Sequence, residues 1–520
     1  MSVKLFDGLG VLMVLAALAC IGGMVATDFG VGAPERIALS SEDLADGFRP
    51  GQEWQSIYLR GQKVGYMELR KELRDDGYHM ESRMVLHMTV MKTRRRIVTR
   101  FEGNLSPDLI LRDFTMQIES PPASVTIEGV VEGNDVVVDF TSAGNRQQER
   151  VTLSEPPRMS FSLRTLFLAH VDELKPGQEA AMRFFDPGSM TEREVVIRYE
   201  GKEMMVVMDQ EVEAFRLTQR MGNTEFAVWV NAIGEVLKEE LPMGLEGVRE
   251  SEAEARYGVT TGTAAASDDI IDAVAVAPRG LPFSATARSA RLRLSGLDFT
   301  GFHLDGGRQR WTPEAEPTSG TLELRLEPFG DRKDVTIGAV AARIETGDAL
   351  GAELRAATQP EMLLQSDHPR IHSRALRESG VGESSELAGA SVLGVSRKVA
   401  DWVYEAVEKK NVIGVPSALE TLGTLEGDCN EHATLTTALL RSIGVPARMA
   451  VGIAYLASQG RFFYHAWVEV WAGDWVAIDP TFGQAPADIG HVRFVTGGIK
   501  DQVEMFRVIG KLDLEVKEAE

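Results

Sequence analysis

The sequence predicts an α+β protein, with antiparallel β-rich domains in its N-terminal part, an α+β domain at its C-terminal end and a single apolar helix ahead of both. Three observations predict this. From about Trp54 to Leu237 the chain runs through successive short stretches rich in Val, Met, Ile and Phe. Beyond Gln359 the apolar spacing becomes helical. The twenty residues from Gly8 to Thr27 carry no charge.

The apolar stretch GLGVLMVLAALACIGGMVAT matches the thickness of a bilayer at about 1.5 Å per residue. Lys4 and the terminal amine precede it, Asp28 follows, and Arg36 is the first basic residue beyond. That asymmetry keeps the N-terminus inside. Residues 1–29 are therefore expected to be a single-pass anchor in the cell membrane, leaving the bulk of the chain periplasmic or otherwise extracytoplasmic. A cleaved signal peptide is the rival, because Ala17, Leu18 and Ala19 offer a small-residue cleavage pattern. Cys20 directly after them also admits a lipid anchor.

Residues 50–250 are expected to form one antiparallel β-rich domain, curved or sandwiched. SVTIEGVVE (124–132) and DVVVDF (135–140) flank Gly133 and Asn134, which together are a hairpin signal. EREVVIRYE (192–200), EMMVVMDQ (203–210) and EFAVWVNA (225–232) continue at the spacing of such a sheet. SFSLRTLFLAH (160–170) reads as a helix laid across one face, and 252–269, rich in Gly, Ala and Ser, as a linker. A second β-rich segment over 270–358 rests on ARLRLSG (290–296) and TLELRLEP (321–328), which alternate with period two. His79, His87, His303 and Trp311 are scattered singly through these regions and are read as structural or solvated. The α+β domain is placed at 360–515, where Val395, Val399, Trp402, Val403, Ala406 and Val407 mark an amphipathic helix over 393–410.

With 520 residues the chain exceeds a single core, since domains usually hold about 100–200 residues. Its 77 acidic residues against 55 basic ones leave a net charge of -22, a field that repels phosphate backbones and argues against nucleic acid as a partner. Cys20 and Cys429 are the two cysteines, too few for a disulfide framework or a four-cysteine zinc site. No cofactor motif or glycine-rich phosphate loop occurs, and oligomeric state is not encoded in any readable pattern.

Chemistry concentrates near the C-terminus. The run Cys429 to Ser442 lacks Pro and Gly and puts Ala433, Thr436 and Leu440 on one face, with Asp428 or a neighbour as the cap and Gly444 and Pro446 as the stop. Cys429 then begins a helix, where the macrodipole and a nearby imidazolium lower thiol pKa values from about 8.5 into the range of about 3.5–7.5. A thiolate at neutral pH is the expectation. A buried small hydrophobe is the commoner fate of a free cysteine, and the residues downstream weigh against it.

Between Phe463 and Pro480, Tyr464, Ala466, Val468, Val470, Val476 and Ile478 fall on even positions, and His465, Trp467, Glu469, Trp471, Trp475, Ala477 and Asp479 on odd ones. If Ala472, Gly473 and Asp474 make a three-residue turn, Trp471 faces Trp475, Val470 faces Val476 and Val468 faces Ile478. In that register His465 and Asp479 share a face, roughly 7–8 Å apart by backbone; a two-residue turn would separate them. A cysteine at a helix end, an imidazole to share its proton and a carboxylate to orient that imidazole make up the equipment of covalent acyl transfer.

These blocks, GDCNEHATLTTALLRSIGVPARMAVGIAY, YHAWVEVW and WVAIDPTFGQ, resemble the core of the transglutaminase-like superfamily, over a stretch from about Gln365 to about Leu512. The resemblance implies a papain-like fold with Cys429 as nucleophile, His465 as general acid and base, and Asp479 as orienter. Arg448 also matches and is read as structural support. A metal held by Cys429, His432, His465 and Asp479 is the weaker reading, since His432 suits a packing or solvated role; no metal or cofactor is expected. His491 either lines the cleft or stabilises its loop. The expected activity is cysteine-dependent transfer or hydrolysis at an amide of a protein or peptide. The alternative is a membrane-anchored binding or scaffold module that keeps the fold without turnover.

Overall fold

The computed structural model describes residues 50–90, 93–121, 123–142, 145–159, 174–188, 190–221, 224–259, 274–326, 335–382, 385–410 and 417–520. The expected apolar span at 8–27, the helix at 160–170 and the 260–269 part of the linker lie outside these residues. Among the described residues, no helix is long and apolar enough to cross a membrane. The chain divides into two compact units, one ending at Ala273 and the other beginning at Val274.

In the first unit fourteen strands form one antiparallel sheet. Gly51–Leu59 pairs with Leu245–Arg249 at its middle, and from there the strands follow chain order outward to Asn145–Thr152 at one edge and, backward along the chain, to Glu179–Asp186 at the other. Alternation sets the faces: Leu111–Ser120 reads buried, exposed or half-buried in near-regular turn along its length. Ala123–Glu132 and Asp135–Ser142 form the expected hairpin, with Gly133 at φ 70° between Glu132 and Asp135. The stretches around 195 and 205 belong to one strand, Thr191–Val207, whose register slips between Tyr199 and Gly201. The sheet curls until Phe114 packs on Phe185 with ring centroids 5.8 Å apart, and Phe101 stacks on Phe114 at 6.2 Å. Each fully buried Phe of this kind contributes about 1.5–3 kcal/mol.

The linker reading fails over its first residues. Glu252–Arg256 is helical because Ser251 and Glu254 form a capping box, and Ala255 and Val259 are buried with Trp54, Tyr66, Val85 and Val98. A capping signal and two apolar anchors outweigh the small-residue composition.

The second unit holds the chemistry. Four strands in the order Trp475–Ile478, Arg461–Trp471, Ala447–Leu456 and His491–Thr496 form its central antiparallel sheet. The helix Cys429–Ser442 packs on this sheet and against the helices Pro369–Ser379, Val392–Ala406 and Ala418–Thr424. Every residue of that helix from Cys429 to Arg441 is buried. The predicted helix over 393–410 stops at Ala406, because Glu408–Lys409 pairs in parallel with Glu426–Gly427 just ahead of Asp428. Backbone pairing there takes the amides that a further helical turn would have used.

Strands occupy only part of the segment expected to be β-rich over 270–358: Ser289–Ser295 and Ser319–Arg325 pair with Leu292 opposite Leu322, while Ile337–Ile344 and Ala349–Ala356 are helices. Ser289–Ser295 also pairs with Asp513–Ala519 at the end of the chain, so this segment shares a compact unit with the 360–515 region. Strand pairing between residues more than two hundred positions apart leaves no local trace in the sequence.

Gly452 lies opposite His465 at a register shift between the strands Ala447–Leu456 and His491–Thr496. A Cβ at Gly452 would collide with the carbonyl oxygen of Val492. Gly452→Ala is expected to destabilise the unit by about 1–3 kcal/mol, read as a lower urea midpoint with unchanged slope.

Candidate active site

The local sequence places each member of the site. Asp428 caps the helix that begins with Cys429: its Oδ1 accepts the Asn430 N–H at 2.9 Å, and its own N–H donates to Glu431 Oε2 at 2.8 Å, a reciprocal capping box. A side chain at Gly427 would collide with Glu431, so glycine is needed for that fold-back. The strand Arg461–Trp471 turns through Ala472 to Asp474 into Trp475–Ile478 with Trp471 opposite Trp475, Val470 opposite Val476 and Val468 opposite Ile478, the register that apolar matching demands.

That register delivers Asp479 to His465. Nε2 of His465 lies 2.9 Å from Oδ2 of Asp479, with both side chains almost fully buried. Oδ1 of Asp479 accepts the N–H groups of Thr481 at 2.6 Å and Phe482 at 3.1 Å. A carboxylate only accepts, so Nε2 carries the hydrogen and Nδ1 is the imidazole nitrogen left to exchange a proton. Phe482 stacks on the imidazole at 4.4 Å and 11°, and Trp467 lies nearly parallel to it at 6.1 Å. Sγ of Cys429 accepts the N–H of Ala466, the residue after His465, at 3.4 Å. Helix end and strand therefore meet at the sulfur.

One expectation is reversed. Burial, followed by the neighbouring Asp428 carboxyl, pushes the Cys429 thiol well above its ordinary value, and the Ala466 N–H offsets only part of this. The thiol is fully buried, and the desolvation cost of a thiolate exceeds what the helix end returns. Burial also raises the carboxyls of Asp428 and Glu431 beside it. The resting site holds a thiol, and a thiolate must be generated during the reaction.

Asp479 behaves oppositely. Burial opposes its ionisation, yet His465 and His491 outweigh burial and hold the carboxyl far below the usual range. His491 is the residue whose weight the sequence understated: its Nε2 lies 2.9 Å from the same Asp479 Oδ2, and its Nδ1 3.0 Å from Oδ1 of Asp488. Burial acts against its charge, but the two carboxylates prevail and push it up to about 9. The ligand-type atoms of His465, Asp479 and His491 lie within 4.8 Å of one another, and direct hydrogen bonds at 2.9 Å already join them, which makes the cluster a proton network.

His432 stands apart from this network. Its Nδ1 bonds the Asp428 carbonyl at 2.6 Å, and burial lowers its pKa to about 4, so it is a neutral packing residue. Arg448 is the structural support expected of it: it donates to Glu469 at 2.9 and 3.0 Å and lies 3.8 Å over the Trp475 ring. Arg493 meets the other oxygen of Glu469 at 2.7 Å, so one buried carboxylate joins two strands of the sheet. Arg308, from the segment read only as β-rich, donates to the carbonyls of Ala487 at 2.7 Å and His491 at 2.9 Å and so braces the turn that carries His491. Alternation in HVRF was the available signal for His491; Arg308 had none.

The chain carries a transglutaminase-like domain: residues 384–480 match the model of the Transglutaminase-like superfamily. An uncharacterized protein of Mycobacterium leprae is 36% identical over 73 residues, which cover 12% of this chain and 25% of that protein, so the chain spans about a quarter of that relative's length. Among solved structures, a β-barrel-like protein of a domain family of unknown function from Brucella abortus aligns at 10% identity and a TM-score of 0.32, covering 39% of this chain and 97% of that one. A candidate cysteine protease from Cytophaga hutchinsonii aligns at 18% identity and a TM-score of 0.25, covering 44% of this chain and 82% of that one.

Two outcomes follow from the charges. Iodoacetamide should alkylate Cys429 slowly at neutral pH, with a rate that climbs only well above the ordinary thiol range, and urea should restore the profile of an ordinary thiol near about 8.5; fast alkylation of the folded chain at pH 7 would contradict the buried thiol. His491 titrates at about 9 when folded against 6.5 in the open chain, so its stabilising contribution is complete below 6.5 and is lost as pH rises through 9. The thermal midpoint should fall across that window, and less steeply in His491→Gln.

Proposed function

We propose that this protein performs cysteine-dependent acyl transfer at amides of proteins or peptides through a thioester. The observation that carries the reading is the buried 2.9 Å contact between His465 Nε2 and Asp479 Oδ2 on the strand whose next amide touches Cys429 Sγ. Because the thiol rests protonated, His465 acts first as a base. Its Nδ1 takes the thiol proton as Sγ attacks the carbonyl carbon, and the imidazolium so formed is stabilised by Asp479. The N–H of Cys429, at the first helical position, has no acceptor within its helix and is the donor we assign to the developing oxyanion. His465 then returns the proton to the leaving nitrogen, and an amine or ammonia departs from the thioester.

The second half-reaction decides the product. Water gives a carboxylic acid and an amine gives a new amide; in either case His465 removes the proton of the attacking group and passes it to the departing sulfur. The charge asymmetry around the apolar N-terminal segment supports a place outside the cytoplasm for this chemistry, attached to the membrane by residues 1–29. One observation favours the non-catalytic scaffold as a second reading: Cys429 is 0% exposed, so a substrate must open the site before the sulfur can be reached.

Ammonia release from glutamine-containing proteins and new amine termini from peptides, each with and without a primary-amine donor, separate these outcomes. Cys429→Ala should abolish turnover, and Asp479→Asn should lower kcat by about 10²–10⁴ with the fold intact by circular dichroism. Turnover that survives in Cys429→Ala would end the acyl-transfer reading; incorporation of the donor marks transfer, and release without incorporation marks hydrolysis.

A further inference from the structure

We propose that His491 is a positioning residue of this site: an imidazolium clamped between Asp488 and Asp479 that fixes the carboxylate oxygen on which His465 is oriented. The inference rests on the acyl-transfer reading for its purpose and on hydrogen-bond chemistry for its content. Both ring nitrogens of His491 meet carboxylate oxygens, Nε2 at 2.9 Å from Asp479 and Nδ1 at 3.0 Å from Asp488. Neither carboxyl has an oxygen free to donate. Asp479 accepts from Thr481, Phe482 and His465, and Asp488 accepts from Gly490 at 2.8 Å through Oδ1 and from Gln484 at 2.8 Å through Oδ2. Two acceptors around one imidazole require both nitrogens to donate, which makes the ring a cation.

The setting keeps that cation in place. His491 is 1% exposed, and the charged and titratable groups that face its ring are Asp479, Asp488 and, with ring centroids 5.5 Å apart, His465; Trp467 and Phe482 enclose the rest. Its strand lies beyond Ala447–Leu456 from the strand of His465, so the contact pins Asp479 from the far side of the sheet. Gln484 and Asp488 bond each other twice, at 2.8 and 3.0 Å, and tie the Asp479 loop to the His491 turn. With His491 removed, Oδ2 of Asp479 keeps His465 as its single donor, and the carboxylate loses the contact that fixes where that oxygen sits against the imidazole.

The test is ¹⁵N NMR of the full-length chain labelled at histidine, at pH 7.5, together with iodoacetamide alkylation of the Cys429 peptide followed by mass spectrometry. Expected for the native chain are two protonated nitrogens on His491 and a single Nε2-H tautomer on His465. In His491→Ala the His465 Nε2-H signal should shift and broaden as the Asp479 carboxylate loses its fixed position, and Cys429 alkylation should slow by about tenfold; His491→Gln, which returns a neutral donor to Asp479, should recover most of the native signal. A neutral His491 in the native chain overturns the proposal even if the variants do not fold. An unchanged His465 Nε2-H signal and alkylation rate in a folded His491→Ala overturns it as well. These readings need no substrate, so a chain without turnover would sink the acyl-transfer reading and leave the positioning claim to be judged separately.

Discussion

A carboxylate cut off from water needs its charge met by donors, and at Asp479 they come from three parts of the chain: the loop amides of Thr481 and Phe482, His465 from the central strand and His491 from beyond the neighbouring strand. Those contacts fix the turn after Trp475–Ile478, the tautomer of His465 and the approach of His491–Thr496 to the sheet. An unpaired buried carboxyl would protonate or draw in water. Asp479 does neither, because hydrogen bonds to two imidazoles and two amides outweigh its desolvation.

The sulfur obeys the same balance with the opposite outcome. Cys429 has the helix N-terminus in its favour, yet it is buried beside Asp428 and Glu431, and one weak N–H contact at 3.4 Å adds little to the charged form. A helix end contributes at most a few kcal/mol to a charge, less than full desolvation removes. The site is thereby built with an ionised orienter and an un-ionised nucleophile, and chemistry must begin with transfer of the thiol proton to His465.

Support for this arrangement reaches well beyond the residues usually counted in such a site. Arg308, just ahead of the strand Gln309–Pro313, and Gln309 at its start hold the backbone around His491 and Arg493, with Gln309 Oε1 accepting the Arg493 N–H at 2.6 Å. The buried Glu469 joins Arg448 and Arg493 and keeps its charge because both guanidiniums outweigh burial. In the other unit the curved fourteen-stranded sheet is stabilised by its own aromatic interior, in which Phe101, Phe114 and Phe185 succeed one another.

The sequence by itself determined the local features. Asp428, Gly427 and the Pro-free run after them are enough to start a helix at Cys429, and apolar matching across Ala472 to Asp474 leaves a single register that puts His465 and Asp479 on one face, because capping and strand alternation act over a few residues. Only the tertiary structure decided which groups lose water and which distant residues replace it. The raised pKa of Cys429, the cationic clamp of His491 and the brace from Arg308 depend on residues up to 183 positions apart that meet through sheet pairing. Desolvation is a property of everything packed around a group, and no window of sequence contains it.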